Sequence, residues 1–272
     1  MTEEKSIASV MIENRVFNPP PKLSEQAYIK SMDQYKQMYA QSIADPEKFW
    51  AERAEELDWF KKWDKVLVED FKNAKHEWFV GGKINVTYNC LDRHLSTDKK
   101  DKTALIWEGD IGDALTLTYQ QLYNEVCKAA NVLKKHGVKK GDRVSIYLPM
   151  IPELAITMMA CARIGAIHSI IFGGFSAEAL RDRIIDCESN YLICSDGYYR
   201  GGKVIASKAN ADMAMESCPD VKTCLVVKRA PAAEANMQAG RDVYYDEEMA
   251  ADDISDVCEP EWMDSEDPLF IL

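Results

Sequence analysis

From residue 118 to residue 228 the apolar positions follow two alternating rhythms. Leu122, Val126, Ala129, Ala130 and Leu133 recur at helical spacing. Thr118 and Gln121 form a capping-box pair in front of them, and Gly137 follows Lys134, Lys135 and His136 as a helix stop. Residues 143–148 then make a short apolar-rich run that Pro149 ends. A nearly all-apolar helix is predicted from Pro152 to Ile164, with Gly165 as its stop. Further strands are predicted over 166–171, 190–194 and 222–228. Helices are predicted from the Ser176 cap to about Cys187 and over 204–215. Short apolar strands that alternate with helices predict an α/β fold: a doubly wound, mostly parallel sheet with helices on both faces.

Ahead of this block the rhythm is different. Residues 1–23 read as extended, with Pro19-Pro20-Pro21 in polyproline II form. A helix is predicted over 24–43 with Ser24 as its cap. Asp45-Pro46 starts another, carrying Phe49, Trp50, Leu57, Trp59, Phe60 and Trp63 as a packing strip. Phe79-Val80-Gly81-Gly82-Lys83 reads as a turn and 89–95 as a short helix. Residues 103–108 and 114–117 read as a hairpin closed by Gly109-Asp110-Ile111-Gly112. Residues 1–100 are therefore expected to be a mainly helical extension packed on an α/β core that occupies 101–272.

Composition narrows the function classes. Hydrophobic residues are 47% and charged residues 29%, ordinary for a globular protein. The formal net charge is −12, but residues 246–267 hold eleven of the acids and no Lys or Arg. Without that stretch 33 basic residues face 34 acidic ones, so the acidity is local, and it reads as a solvated, linker-like surface, with an acidic docking face as the alternative. No basic stripe points to nucleic acid. No apolar run is long enough for a membrane span. The start Met1-Thr2-Glu3-Glu4-Lys5 lacks a signal-like apolar region, so a cytoplasmic location is expected. The eight cysteines form no C-x-x-C pair and read as small buried hydrophobes. The four histidines lack metal-ligand spacing, and no metal site is assigned.

In a doubly wound sheet ligands bind at the carboxyl ends of the strands. Two glycine pairs follow strands there. Phe172-Gly173-Gly174-Phe175-Ser176 hands a strand to a capped helix, and Arg200-Gly201-Gly202-Lys203 sets two cations around two glycines, a pattern that suits a phosphate. Taken alone, the first pair also fits a plain strand-to-helix turn, and Arg200 a solvated surface cation.

Lys140-Gly141-Asp142-Arg143-Val144-Ser145-Ile146-Tyr147-Leu148-Pro149 resembles the first core motif region of the adenylate-forming acyl-CoA synthetases. The stretch 170–183, with Phe172-Gly173-Gly174-Phe175-Ser176 intact, resembles the AMP-forming acetyl-coenzyme A synthetase branch. So do Phe49-Trp50, Trp63-Asp64-Lys65-Val66-Leu67, Gly82-Lys83-Ile84-Asn85 and Tyr88-Asn89-Cys90-Leu91-Asp92-Arg93-His94. The resemblance runs over about 46–227. It implies an acetate–CoA ligase: acetate attacks the α-phosphate of MgATP, pyrophosphate leaves, and the thiol of coenzyme A then displaces AMP from acetyl-adenylate.

The resemblance also assigns residues. Arg200, Gly201, Gly202 and Lys203 match the segment that binds the 3′-phosphate end of coenzyme A. Phe172, Gly173 and Ile205 match positions around its adenine. The family usually has Arg where Lys203 stands; lysine keeps the charge and loses the bidentate fork. No residue matches a catalytic residue of the family. ATP and Mg2+ would be bound mainly by a missing part, because 267–272 looks like the strand that feeds the family's phosphate-binding loop. The implied partners are acetate, ATP, coenzyme A and a C-terminal portion of the same polypeptide; by itself the chain is expected to make no acetyl-CoA. A propionate–CoA ligase and a non-catalytic nucleotide-binding or dimerisation module stay open as alternatives. An oxidoreductase dinucleotide domain stays open as well, and against it stands that no G-x-G-x-x-G follows a strand.

Overall fold

Six parallel strands carry the structure, a computed structural model that describes residues 16–272. They are β1 (Arg143–Tyr147), β2 (Ile167–Ile170), β3 (Tyr191–Ser195), β4 (Thr223–Val227), β5 (Asp242–Tyr244) and β6 (Phe270–Ile271). Their order across the sheet is β5-β4-β3-β1-β2-β6, with every pairing parallel. Helices α1 (Tyr119–Lys135), α2 (Pro152–Arg163), α3 (Ala177–Asp186) and α4 (Ser207–Met215) cover it. The capping box is present: Thr118 Oγ1 accepts from Gln121 N, and the Gln121 side chain accepts from Thr118 N.

The doubly wound arrangement follows from side-chain alternation along each strand. Val144, Ile146, Ile193, Leu225 and Val227 pack with α1 and α2 in one buried core. Tyr147, Leu192, Cys194, Cys224 and Val226 pack with α3 and α4 in the other. Leu180, fully buried, illustrates the scale: shaving it to Ala costs about 2–5 kcal/mol. Seven of the eight cysteines are buried and all are free; Cys90 is exposed.

The chain divides into a unit up to Glu56 and one from Leu57 to Leu272. Within the first, the expected extended stretch 1–23 lies partly outside the described residues. Pro21 is not in polyproline form but opens a short helix, Pro21–Gln26. The next helix is Met32–Ala44, capped by Ser31 and not Ser24, and Asp45 caps Pro46–Ala54 as predicted. That helix carries Phe49 and Trp50 but stops before Leu57, Trp59, Phe60 and Trp63.

Residues 57–100 belong to the larger unit and include the antiparallel pair Lys65–Asp70 and Lys75–Val80, where a mainly helical extension is expected. Leu57 and Trp59 lie outside helix because the aromatic rings pack on a strand instead: Trp59 meets Trp63 at 5.0 Å and Trp63 meets Phe79 at 5.1 Å. The acidic stretch is likewise docked rather than linker-like. Met263–Asp264 pairs with Lys83–Ile84, Cys258 is buried, and Asn131 donates to the carbonyls of Ser255 and Val257. Its acids meet Lys83, Lys135, Lys140 and Lys228, cations from distant parts of the chain. Among the described residues no helix is long and apolar enough to cross a membrane.

Candidate functional site

The loops after β1, β2, β3 and β4 converge on one groove of about 480 Å³. β1 and β3 are neighbours whose outgoing helices, α2 and α4, lie on opposite faces, so the groove opens at the switch point of the sheet. A hairpin, Thr103–Glu108 with Ala114–Thr118, closes it from outside through Trp107, Gly109 and Asp110.

Phe172, Gly173 and Gly174 form the floor between β2 and α3. Gly173 is buried, and a Cβ there would stand 3.3 Å from the Leu148 carbonyl oxygen and 3.4 Å from Pro149 N. The two loops are thus in near-backbone contact, which glycine permits. Tyr198 Oη donates to the Gly173 carbonyl at 3.4 Å, and Tyr147 Oη to the Phe175 carbonyl at 2.8 Å. Phe172 leans edge-on against Phe175 at 5.8 Å and stays 59% exposed, an open aromatic face at the groove.

Beyond β3 the chain makes a second hairpin, Tyr198–Arg200 with Lys203–Ile205. The expectation of a helix from residue 204 is corrected here: Val204 is in this strand, and α4 starts at Ser207. Gly201 and Gly202, at φ +55° and +73°, make the two-residue turn that positive φ values favour. The register sets Arg200 directly opposite Lys203. Like charges so placed repel, and neither has a carboxylate within ion-pair distance among the described residues. An arriving anion relieves that repulsion. A carboxylate oxygen of Asp110 accepts from Gly202 N at 3.4 Å.

Phe172, Gly173 and Arg200 therefore share one groove. Gly201, Gly202, Lys203 and Ile205 do not line it, although they belong to the hairpin that presents Arg200. Two residues escape the sequence reading. Buried Asp196 accepts through Oδ1 from the N–H groups of Gly197, Arg229 and Ala230, at 2.6, 2.8 and 2.8 Å, and so ties the loop after β3 to the loop after β4. Arg229 pairs through both terminal nitrogens with Asp113 at 2.6 and 3.2 Å. That guanidinium hydrogen bond holds the Asp113 carboxyl below its ordinary value. The signal for both was their place just after a strand. Among the described residues no group of three or more His, Cys, Asp or Glu is placed to hold a metal ion.

A switch-point groove with an exposed ring, a backbone-close glycine and an unpaired cation is the candidate site of this α/β fold. Residues 91–272 match the family described as AMP-binding enzyme, and the chain belongs to it. Residues 35–90 match the family described as acetyl-coenzyme A synthetase N-terminus. The chain is 53% identical over 264 residues to an acetyl-coenzyme A synthetase of Alkalilimnicola ehrlichii, covering 96% of this chain and 40% of that protein. It is 55% identical over 241 residues to one of Bdellovibrio bacteriovorus, covering 88% and 37%. In fold it is similar to the acetoacetyl-CoA synthetase from Streptomyces lividans, with a TM-score of 0.77 and 22% identity over 92% of this chain and 38% of that one. The chain thus spans about 40% of the length of the curated relatives it matches.

Proposed function

We propose that the chain carries the coenzyme A-facing part of an AMP-forming acetate–CoA ligase. In that reaction an acetate oxygen bonds the α-phosphorus of ATP and the bond to pyrophosphate breaks. The sulfur of coenzyme A then bonds the acetyl carbon as AMP leaves and the thiol proton is released. Acetate is favoured over propionate as the acyl group by relatives of that name at 53% and 55% identity. The observation that carries the reading is the groove itself, where exposed Phe172, close-packed Gly173 and unpaired Arg200 meet. Phe172 would take the adenine ring on its open face. Arg200, with Lys203 opposite, would take the 3′-phosphate through charge-assisted hydrogen bonds. The glycines of the turn would let backbone N–H groups approach the same anion.

ATP and Mg2+ are co-reactants on this reading. The described residues assemble no donor set for the ion, so no step is derived through it. The acyl pocket and the catalytic groups would lie in a segment corresponding to the rest of the relatives' length. On this reading the protein works in the cytoplasm, and the chain alone turns acetate, ATP and coenzyme A into no acetyl-CoA.

Calorimetric titration tests the site. The chain should bind coenzyme A more tightly than dephospho-coenzyme A. Arg200→Glu should weaken coenzyme A at least tenfold and leave dephospho-coenzyme A nearly unchanged, because only the former carries the phosphate that Arg200 reads. Equal affinity for the two ligands in the wild-type chain would rule out the 3′-phosphate assignment. Acetyl-CoA formed by the purified chain would overturn the expected inactivity.

A further inference from the structure

Arg229 lines the same groove as Arg200, yet its surroundings are opposite. Arg200 is exposed and unpaired, whereas the Arg229 side chain is 16% exposed and its charge is met by Asp113 in a two-bond fork. Its guanidinium lies 5.0 Å from the Trp107 ring centroid and 5.1 Å from that of Tyr199. Trp107 belongs to one hairpin and Tyr199 to the other, so a single cation touches both sides of the groove. Each contact is anchored further. Trp107 Nε1 donates to the Met150 carbonyl at 2.8 Å, in the loop after β1. Arg229 N donates to Asp196 at 2.8 Å, in the loop after β3. Tyr198, next to Tyr199, reaches the Gly173 carbonyl.

We propose that Arg229 is a positioning residue that, through Asp113, Trp107 and Tyr199, holds the two hairpins as opposing walls and sets the distance between the Phe172 shelf and Arg200. The proposal rests on the reading of the groove as a coenzyme A site. A paired, ring-clasped guanidinium suits this task better than anion capture. Its donors are committed to a carboxylate, and the flat fork fixes orientation as a lysine ammonium does not. A ligand that must reach a ring at one end and a cation at the other depends on their spacing, and small misplacement is costly in binding.

The test is titration of the chain with coenzyme A and dephospho-coenzyme A, well below the melting transition of each variant. Arg229→Gln should weaken both ligands about tenfold and leave their ratio as in wild type. A positioning residue serves both, while a phosphate ligand serves one. Asp113→Asn, in an exposed turn where misfolding is not expected, should weaken both in the same direction. The double variant should be no worse than Arg229→Gln alone, since the pair acts as a unit. Arg229→Lys should fall between wild type and Arg229→Gln, keeping the cation over the rings and losing the fork. The proposal is overturned if Asp113→Asn tightens coenzyme A, which would mean that a liberated Arg229 binds the ligand itself. It is overturned too if Arg229→Gln abolishes the preference for coenzyme A, or leaves both affinities intact. Arg200→Glu in the same series separates this from the underlying reading. If it leaves the preference unchanged the coenzyme A site is wrong, whereas if it removes the preference and the Arg229 and Asp113 variants do nothing, only the positioning role fails.

Discussion

Two glycine pairs flank the groove, and they are glycines for different reasons. Gly173 has an ordinary φ but no room: the backbone of Leu148 and Pro149 lies within 3.3–3.4 Å of where a Cβ would be. Gly201 and Gly202 have unlimited room, with nothing within 4 Å of an added Cβ, but left-handed φ values that side chains resist. The first pair brings two loops together; the second reverses a strand so that two cations stand side by side. The same dipeptide serves as a spacer in one place and as an angle in the other.

Substitutions that separate room from angle sharpen this contrast. The largest effect is expected from Gly173→Val. Its branched side chain would wedge the loop after β2 away from the loop after β1, at about 1–3 kcal/mol of stability, and calorimetry should show more than tenfold weaker coenzyme A. Gly202→Val should cost about 1–2 kcal/mol through its backbone angle, lowering the melting midpoint by about 2–8 °C. Gly202→Asn should be nearly silent because asparagine tolerates that region. If Asn and Val prove equally harmful at 202, angle is not what the turn requires.

The smallest effect is a pH dependence that arises within the sheet rather than in the groove. Burial pushes His168, on β2, below its ordinary 6.5, and its Nδ1 has no hydrogen-bond partner among the described residues. A depressed folded value means that the unfolded chain takes up the proton first. Stability from neutral His168 is therefore complete above 6.5 and lost as pH falls through the lower folded value. Melting midpoints of wild type should decline between about pH 7 and pH 5, and His168→Gln should flatten that slope. An unchanged slope would assign the decline to other groups. The Asp113–Arg229 clamp at the groove should hold until pH drops below the ordinary carboxylate value of 3.8, since that carboxyl is also depressed.

The sheet was legible because its strands are short apolar runs punctuated by strong signals, such as the Thr118–Gln121 box, the Ser176 cap and the Gly165 stop. What escaped depends on distant partners. Trp59 and Trp63 carry helix-compatible spacing, yet Phe79 draws them out of helix. Strand β5 is three residues beginning with a buried Asp, Asp242, whose charge is met by Lys208 and Arg241, and no apolar run announces it. The acidic stretch looked solvated because its cations come from residues 83, 135, 140 and 228. At the site, Phe172, Gly173 and Arg200 stood out as local motifs at strand ends. The Arg229–Asp113 fork joins residues 116 positions apart, and only the place of Arg229 just after a strand hinted at it.

The alternation by which β3 sends Ile193 to one core and Leu192 to the other also governs where the chain tolerates a change of length. Deleting one residue inside Tyr191–Ser195 would exchange the two sets of side chains, presenting each core with the other's shapes. A residue gained or lost at the carboxyl ends meets no such parity rule. Length variation is therefore barred from the sheet and admitted at the groove, so the groove can be recontoured by insertion while the scaffold beneath it keeps count.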